Sequence, residues 1–220
     1  MTSGRFITFE GGEGSGKSTQ AGLLAQRLEG RGIDVVLTRE PGGSPFAEQI
    51  RSVLLGGSLP PHAPLAEALL FYAARADHLA STIRPALAAG RWVICDRFSD
   101  STHVYQGVAG GVASDTLEAL EKVVVEPTQP DLTFILDIAP AAGLSRAQTR
   151  RAPSSAQSEA AADPYESRNL MFHERLRAGY LAIAKAEPQR CALIDGARPA
   201  DQVAADIWAE TERRLLAAGR

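Results

Sequence analysis

A glycine-rich segment near the start of the chain limits the possible folds more than any other feature. The apolar run Phe6–Phe9 leads into Gly11–Ser18, which reads GGEGSGKS, and residues at helical spacing follow. In this strand–loop–helix context, loop amides and a helix N-terminus surround phosphate oxygens. The pattern predicts nucleoside-triphosphate binding, with Lys17 at the β- and γ-phosphates and Ser18 on Mg²⁺. The predicted phosphate-contacting residues are Gly11, Gly12, Glu13, Gly14, Ser15, Gly16, Lys17, Ser18 and Thr19.

Short apolar runs alternate with longer segments of helical spacing along the rest of the chain. Such runs are typical of strands buried on both faces of a parallel sheet. The predicted strands are Phe6–Phe9, Val35–Thr38, Trp92–Cys95, Leu132–Leu136 and Ala192–Ile194. The predicted helices are Lys17–Arg31, Pro64–Ala89, Ser114–Val125, Pro140–Arg150, Glu166–Ala186 and Ala200–Ala218. The alternation predicts an α/β fold, a parallel five-stranded sheet flanked by helices, in a single domain spanning residues 1–220.

A second polar element follows the third apolar run. Asp96 comes directly after Trp92–Cys95, where an acid that holds Mg²⁺ would lie. The alternative is that Asp96 caps the next helix. Arg97 beside it would be a costly buried cation without an anion, so a substrate phosphate is its expected partner.

Charge and composition argue against several functional classes. The 220 residues carry a net charge of −3, which disfavours a protein that binds nucleic acid. Cys95 and Cys191 lie in apolar runs and are expected to be buried reduced thiols. The first residues contain no apolar signal stretch, and no apolar run reaches the ~18 residues of a membrane span. These features predict a cytoplasmic protein.

The segment Ala152–Asp163 differs from the rest because it has no bulky apolar side chain. It cannot bury enough surface to hold itself in a core, so an exposed mobile loop is expected. One interpretation is a surface insertion without function. Its position after Arg146, Arg150 and Arg151 favours the other, a lid near residues 146–166.

The distribution of arginines favours a phosphotransferase. The sequence contains no N-K-x-D guanine motif and no D-x-x-G switch, which argues against a GTPase. Two phosphorylated substrates held face to face would need cations at several separate places, and arginines disperse the charge that builds on a transferred phosphoryl group. Such arginines are Arg51, Arg75, Arg97, Arg146, Arg150 and Arg151.

These residues resemble the thymidylate kinase family over nearly the whole chain. The matching elements are Phe9–Gln20 at the phosphate loop, Thr38–Gly43 (TREPGG), Leu70–Arg75 (LFYAAR), Asp96–Phe98 with Ser101, Thr102 and Tyr105–Gly107, and Pro130–Asp137 (PDLTFILD). The order and number of these elements make the resemblance far more specific than a phosphate loop alone. It implies a P-loop kinase fold with a lid, ATP and thymidylate (dTMP) as substrates, Mg²⁺ as cofactor, and a homodimer.

The resemblance also implies roles for individual residues. Phe71 would stack on thymine, and Arg75 would bind the base carbonyl. Tyr105 would exclude a ribose 2′-hydroxyl. The acceptor phosphate would be held by Arg51 and Arg97, and the base and sugar site would be lined by Ser101, Thr102 and Gln106. Glu13 would meet the sugar 3′-hydroxyl or place the acceptor, and Arg146 would lie by the adenine. Arg150 would be the lid arginine over the γ-phosphate. The catalytic residues would then be Lys17, Arg97, Arg150 and Glu13. Taken singly, Phe71 is more typical of a core residue, Arg75 of a solvated helix charge and Tyr105 of a half-buried tyrosine.

Two departures from the family pattern stand out. Relatives often have D-R-x-E after the lid, where this chain reads Asp163-Pro164-Tyr165-Glu166, and its lid loop is longer than in many relatives. The choice between Arg150 and Arg151 as the lid arginine therefore stays open. Two other functions also stay open: a kinase for another monophosphate, such as uridylate or cytidylate, and a nucleotide-binding regulatory module without transfer activity.

Overall fold

The computed structural model describes residues 4–56, 60–150 and 165–217. Five parallel strands form one sheet, in the order β2-β3-β1-β4-β5. The strands are β1 (Phe6–Glu10), β2 (Val35–Arg39), β3 (Trp92–Asp96), β4 (Leu132–Asp137) and β5 (Cys191–Asp195). The predicted α/β class and the parallel five-stranded sheet are therefore confirmed.

Helices connect the strands. They are α1 (Lys17–Glu29), α2 (Pro45–Leu55), α3 (Pro64–His78), α4 (Arg84–Ala88), α5 (Ser99–Thr102), α6 (Ser114–Val124), α7 (Pro140–Arg150), α8 (Leu170–Ala186) and α9 (Ala200–Thr211). Wider π turns continue three of them, at Leu79–Ile83, His103–Ala109 and Glu212–Leu216. The first π turn precedes Pro85, which has no amide hydrogen to continue the regular helical ladder.

Apolar residues cover both faces of the sheet. On one face, Ile7 and Phe9 of β1 pack with buried residues of α1 and α9, such as Leu24 and Ile207. On the other face, Phe6 belongs to a cluster formed with residues of α3, α4 and α6. Because β1 is buried on both faces, the only polar surface it offers is its carboxyl end, where the phosphate loop begins.

The structure corrects some predicted boundaries. Each strand extends to a charged residue, such as Glu10 or Asp96, because the ladder continues past the apolar run. The helix predicted from Glu166 begins at Leu170, where the Asn169 side chain accepts a hydrogen bond from the Phe172 amide at 2.9 Å. Helix α2 has no counterpart among the predicted helices.

Candidate active site

A cavity of about 630 Å³ opens at the carboxyl ends of β1, β2 and β3. Parallel sheets place ligand sites at this edge, beside the point where neighbouring connections leave in opposite directions. The sequence-predicted residues that line the cavity are Glu13, Gly14, Gly16, Lys17, Ser18, Thr19, Arg51, Phe71, Arg75, Asp96, Arg97, Ser101, Thr102, Tyr105 and Gln106. The structure therefore gathers most of the predicted site residues around one opening.

The phosphate loop curls around the Lys17 ammonium group. Lys17 Nζ donates to the carbonyl oxygens of Gly11 at 3.0 Å and Gly12 at 2.8 Å. Burial and the nearby Arg97 guanidinium lower the pKa of Lys17 to about 8, against the opposing effect of Glu13. An anion that replaced these carbonyl contacts would stabilise the charged form of Lys17.

Glycine at position 14 is required by its surroundings. The residue has φ of +65°, and a Cβ there would lie 1.9 Å from the carbonyl oxygen of Gly143 in α7. Any side chain would therefore push the phosphate loop away from α7.

Two oxygen ligands suited to Mg²⁺ meet at the start of α1. The Ser18 hydroxyl donates a short hydrogen bond to Oδ2 of Asp96, at the end of β3. A hydroxyl and a carboxylate fit Mg²⁺, which takes its remaining ligands from water and phosphates. The alternative role for Asp96 as a helix cap is wrong, because Phe98 occupies the N-cap position of α5. Among the residues that the structure describes, no group of three or more His, Cys, Asp or Glu side chains could hold a metal ion.

Arg97 lies between the phosphate loop and the rest of the cavity. Its Nη2 donates to Glu13 Oε1 at 2.7 Å, and the same oxygen accepts a hydrogen bond from the Tyr105 hydroxyl at 2.7 Å. Burial alone would raise the pKa of Glu13, but the charges of Arg97 and Lys17 and the Tyr105 hydroxyl lower it to about 2. Glu13 is therefore an anion at neutral pH, and it holds the Arg97 guanidinium and the Tyr105 hydroxyl in place.

The backbone of Arg97 is strained. Its φ is +69°, and no other non-glycine residue in the described part of the chain has a positive φ. Such a conformation costs about 1–3 kcal/mol and persists only where the surroundings enforce it. Strain of this kind is concentrated at functional sites.

Arg75 is held by a buried ion pair. Its side chain is 1% exposed, its Nε donates to Glu40 Oε2 at 2.8 Å, and its Nη2 donates to Thr102 Oγ1 at 3.0 Å. His78 Nδ1 lies 3.1 Å from the other oxygen of Glu40. Nη1 of Arg75 is buried without a hydrogen-bond partner. A buried unpaired donor beside a cavity is a place where a ligand oxygen would recover a lost hydrogen bond.

The remaining wall combines an aromatic ring with hydrogen-bonded polar groups. Phe71 is half-buried and lines the cavity, so it is not enclosed in the core. Gln106 Nε2 donates to Glu67 Oε2 at 2.8 Å and to the Tyr165 hydroxyl at 3.0 Å. The Ser101 hydroxyl donates to Glu10 Oε2 at 2.6 Å.

The other predicted arginines lie in different surroundings. Arg51 Nη1 donates to the carbonyl oxygen of Pro41 at 2.7 Å, within the cavity wall. Arg146 is not among the cavity-lining residues, and its guanidinium donates to the carbonyl oxygens of Gly196 at 2.7 Å and Ala197 at 2.9 Å, after β5. The Arg150 side chain, Arg151 and most of the predicted lid, residues 151–164, lie outside the described residues.

Several residues of the site are absent from the sequence prediction. Glu10 ends β1 and accepts a hydrogen bond from the amide that follows Arg97. Glu40 directly follows β2 and accepts one from Arg75, and Tyr165 supports Gln106. For both glutamates the available signal was an acid just after the carboxyl end of a predicted strand. Tyr165 gave no comparable signal, because its partners lie far away in sequence.

The fold and the site together define a class. A phosphate loop that opens a parallel sheet of this order, with a hydroxyl–carboxylate pair on one side and an arginine-containing pocket on the other, is the arrangement of a P-loop nucleoside-monophosphate kinase. Within the described ranges, no helix is long and apolar enough to cross a membrane.

Comparison with known proteins names the family. The family model for thymidylate kinase matches residues 9–207, and the chain belongs to that family. It is 52% identical over 215 residues to a thymidylate kinase of Afipia carboxidovorans, covering 98% of this chain and 92% of that protein. It is 51% identical over 215 residues to a thymidylate kinase of Caulobacter vibrioides, covering 98% and 99%. The crystal structure of thymidylate kinase from Ehrlichia chaffeensis superposes with a TM-score of 0.73 at 34% identity, covering 94% of this chain and 98% of that one.

Proposed function

We propose that this chain transfers the γ-phosphoryl group of ATP to thymidylate, giving ADP and thymidine diphosphate on the route to thymidine triphosphate. Family membership over residues 9–207 supports thymidylate as the acceptor. The observation that carries the mechanism is the cluster of Lys17, Glu13 and Arg97 between the phosphate loop and the acceptor side of the cavity.

The ATP phosphates bind in the loop Gly11–Thr19. Lys17 exchanges its contacts to Gly11 and Gly12 for phosphate oxygens. The Ser18 hydroxyl and the Asp96 carboxylate would hold Mg²⁺, which would neutralise phosphate charge. Arg146 lies beside the adenine, and its bonds to the Gly196 and Ala197 carbonyls fix it near the segment after β5. Omission of divalent metal tests this side of the site, since turnover is expected to need Mg²⁺.

Thymidylate binds on the opposite side of Arg97. Phe71 stacks on the base, and the unpaired Nη1 of Arg75 donates to a base carbonyl. Tyr105 occupies the space of a ribose 2′-hydroxyl. Arg51 and Arg97 hold the phosphate, while Ser101, Thr102 and Gln106 line the base and sugar site.

Phosphoryl transfer is then a matter of position and charge. An acceptor phosphate oxygen attacks the γ-phosphorus as the bond to the β-γ bridging oxygen breaks, and ADP leaves. Lys17 and Arg97 stabilise the charge that develops on the moving group, since both are fixed cations in a largely buried site. Glu13 orients Arg97 and meets the sugar 3′-hydroxyl. Arg150 of the lid adds a further cation from the donor side.

A coupled assay of ADP release separates this proposal from its alternatives. Thymidylate is expected to give rapid release, and uridylate and cytidylate much slower release. Faster release with uridylate or cytidylate would show a kinase for another monophosphate. No release with any acceptor would support a nucleotide-binding regulatory module.

The proposed assembly is a cytoplasmic homodimer that binds neither nucleic acid nor membrane. Exposed apolar side chains support a contact surface on α2 and α3: Phe46, Val53, Leu65 and Leu69 are each 43–53% exposed. These two helices pack against each other, so the side chains belong to neighbouring surfaces. Light scattering at micromolar concentration is expected to give the mass of two chains, and the mass of one chain would contradict the proposal.

A further inference from the structure

We propose that Glu10 is a positioning residue that fixes the backbone of Arg97 and thereby aims its guanidinium at the phosphate of the acceptor. The inference rests on the proposed role of Arg97 in holding that phosphate. Glu10 is absent from the cavity lining, so it acts through its neighbours and not through substrate.

The carboxylate of Glu10 joins β1 to the segment that follows β3. Glu10 is 0% exposed, and its Oε1 accepts a hydrogen bond from the Phe98 amide at 2.7 Å. Its Oε2 accepts hydrogen bonds from the Ser101 hydroxyl at 2.6 Å and from the Tyr180 hydroxyl at 3.3 Å. Three donors therefore converge on one buried carboxylate, and two of them come from the residues just after Arg97.

These contacts hold the left-handed conformation of Arg97. The Arg97 amide donates to the Phe9 carbonyl at 2.9 Å, while the next amide, that of Phe98, donates to the Glu10 side chain. The peptide on each side of Arg97 is thus fixed to β1 by adjacent residues. A non-glycine residue with φ of +69° needs such restraints, since these residues rarely adopt the left-handed conformation.

The same contacts reach the guanidinium itself. Arg97 Nη1 lies 3.3 Å from the Ser101 hydroxyl oxygen and 3.3 Å from the Tyr180 hydroxyl oxygen, the two hydroxyls that donate to Glu10. The Tyr180 hydroxyl also lies 2.9 Å from the Ser101 hydroxyl. With Ser101 donating to Glu10, and Tyr180 donating to Glu10 or Ser101, both hydroxyls keep lone pairs free to face Arg97. Glu10 thus helps to fix both the backbone and the side chain of Arg97, whose guanidinium also donates to Glu13.

The charge environment of Glu10 indicates that it has a purpose beyond packing. Burial, and then the charge of Asp100, raise the pKa of Glu10 to about 7, while Ser101, Arg97 and the Phe98 amide lower it. Lys17 also faces Glu10, and Asp100 is itself paired with Arg190. Burying a carboxylate costs free energy that an apolar side chain at this position would not cost. The site therefore requires the acceptor oxygens of Glu10.

The test compares two substitutions of similar volume. Glu10→Leu removes both acceptors, and Glu10→Gln keeps a carbonyl oxygen for the Phe98 amide. Misplacement of Arg97 in Glu10→Leu is expected to lower kcat/KM for thymidylate by about 10²-fold, with about 10-fold for Glu10→Gln, and to leave the KM for ATP little changed. Thr8→Val is the matched control. It removes a buried hydrogen bond to Thr133 two residues earlier on β1, away from Arg97, and is expected to be nearly silent in kinetics.

A double-mutant cycle with Arg97→Ala decides whether Glu10 acts through Arg97. In the Arg97→Ala background, either Glu10 substitution is expected to lower kcat/KM for thymidylate by at most about a further 2-fold. If a Glu10 substitution lowered kcat/KM in the Arg97→Ala background by as much as it does in the wild-type background, the proposal would be overturned. Equal decreases in kcat/KM in Glu10→Gln and Thr8→Val would also overturn it. Should Glu10→Leu fail to fold, the Glu10→Gln cycle gives the same decision.

Crystal structures separate this inference from the proposed function. Glu10→Leu is expected to move Arg97 out of positive φ or to displace its guanidinium from Glu13, and an unchanged Arg97 would refute the inference. A wild-type protein that fails to phosphorylate thymidylate would instead refute the proposed function, and the crystallographic comparison would still decide the role of Glu10.

Discussion

Replacing Tyr105 by Phe and by Ala separates the role of its hydroxyl group from the role of its aromatic ring. The ring is 7% exposed and stands edge-on to Tyr165, with centroids 5.0 Å apart. The hydroxyl donates to Glu13. Tyr105→Phe removes only the hydroxyl, whereas Tyr105→Ala removes the ring that would exclude a 2′-hydroxyl.

The magnitudes follow from these contacts. Burying an unpaired 2′-hydroxyl against the ring costs about 1–3 kcal/mol, which is roughly a 5- to 140-fold preference for the deoxy acceptor. Tyr105→Ala should lose most of that preference, while Tyr105→Phe should keep it. Because the hydrogen bond to the Glu13 carboxylate contributes about 1.5–3 kcal/mol, Tyr105→Phe should slow both acceptors alike, by roughly 10- to 140-fold.

The assay is the ratio of kcat/KM for thymidylate to that for ribothymidylate, which differ only at the 2′-position. Loss of a buried ring costs about 3–5 kcal/mol of stability, so Tyr105→Ala must be assayed well below its melting temperature. An unchanged ratio in Tyr105→Ala would refute the gate. A ratio that falls equally in Tyr105→Phe would assign the selectivity to the hydroxyl instead of the ring.

Three further predictions address the other parts of the site. Lys17→Ala should lower turnover by ~10³-fold or more without changing the circular dichroism spectrum, and near-normal turnover would exclude Lys17 from catalysis. Phe71→Ala should weaken thymidylate binding by about 1–3 kcal/mol in calorimetry while ATP binding is unchanged, and equal losses for both ligands would make Phe71 a structural residue. Arg150→Ala should lower turnover by ~10²-fold or more with little change in the KM for thymidylate. Arg151→Ala should be much milder, because consecutive residues on a regular helix point about 100° apart and only one of the two would reach the phosphoryl group. The reverse ranking would identify Arg151 as the lid arginine.

The local sequence pattern predicted the strands and the phosphate loop well, because each of these elements is encoded by residues that are neighbours in the chain. The run Phe6–Phe9 and the glycines after it specify strand, turn and helix start without help from the rest of the chain. A local signal also marks the start of α2, which is absent from the predicted helices: Ser44 caps it by accepting from the Ala47 amide at 3.3 Å, and Pro45 is its first residue.

The supports of the site could not be predicted in the same way. Glu10 is paired with Phe98, and Arg75 with Glu40, across sequence separations of 88 and 35 residues. The sheet order sets β1 beside β3, and the packing of α3 carries Arg75 to the residue after β2. No local pattern therefore reveals which acid serves which arginine. The strain at Arg97 is a property of this tertiary arrangement, since its sequence neighbours do not require a positive φ.

Transfer of label from ATP to thymidylate tests the central claim most directly. Purified protein is mixed with γ-³²P-labelled ATP, Mg²⁺ and thymidylate, and the products are separated by chromatography. The account predicts that the label appears in thymidine diphosphate, at a rate that Lys17→Ala abolishes. Label that stays in ATP, or that appears only as inorganic phosphate, would contradict it.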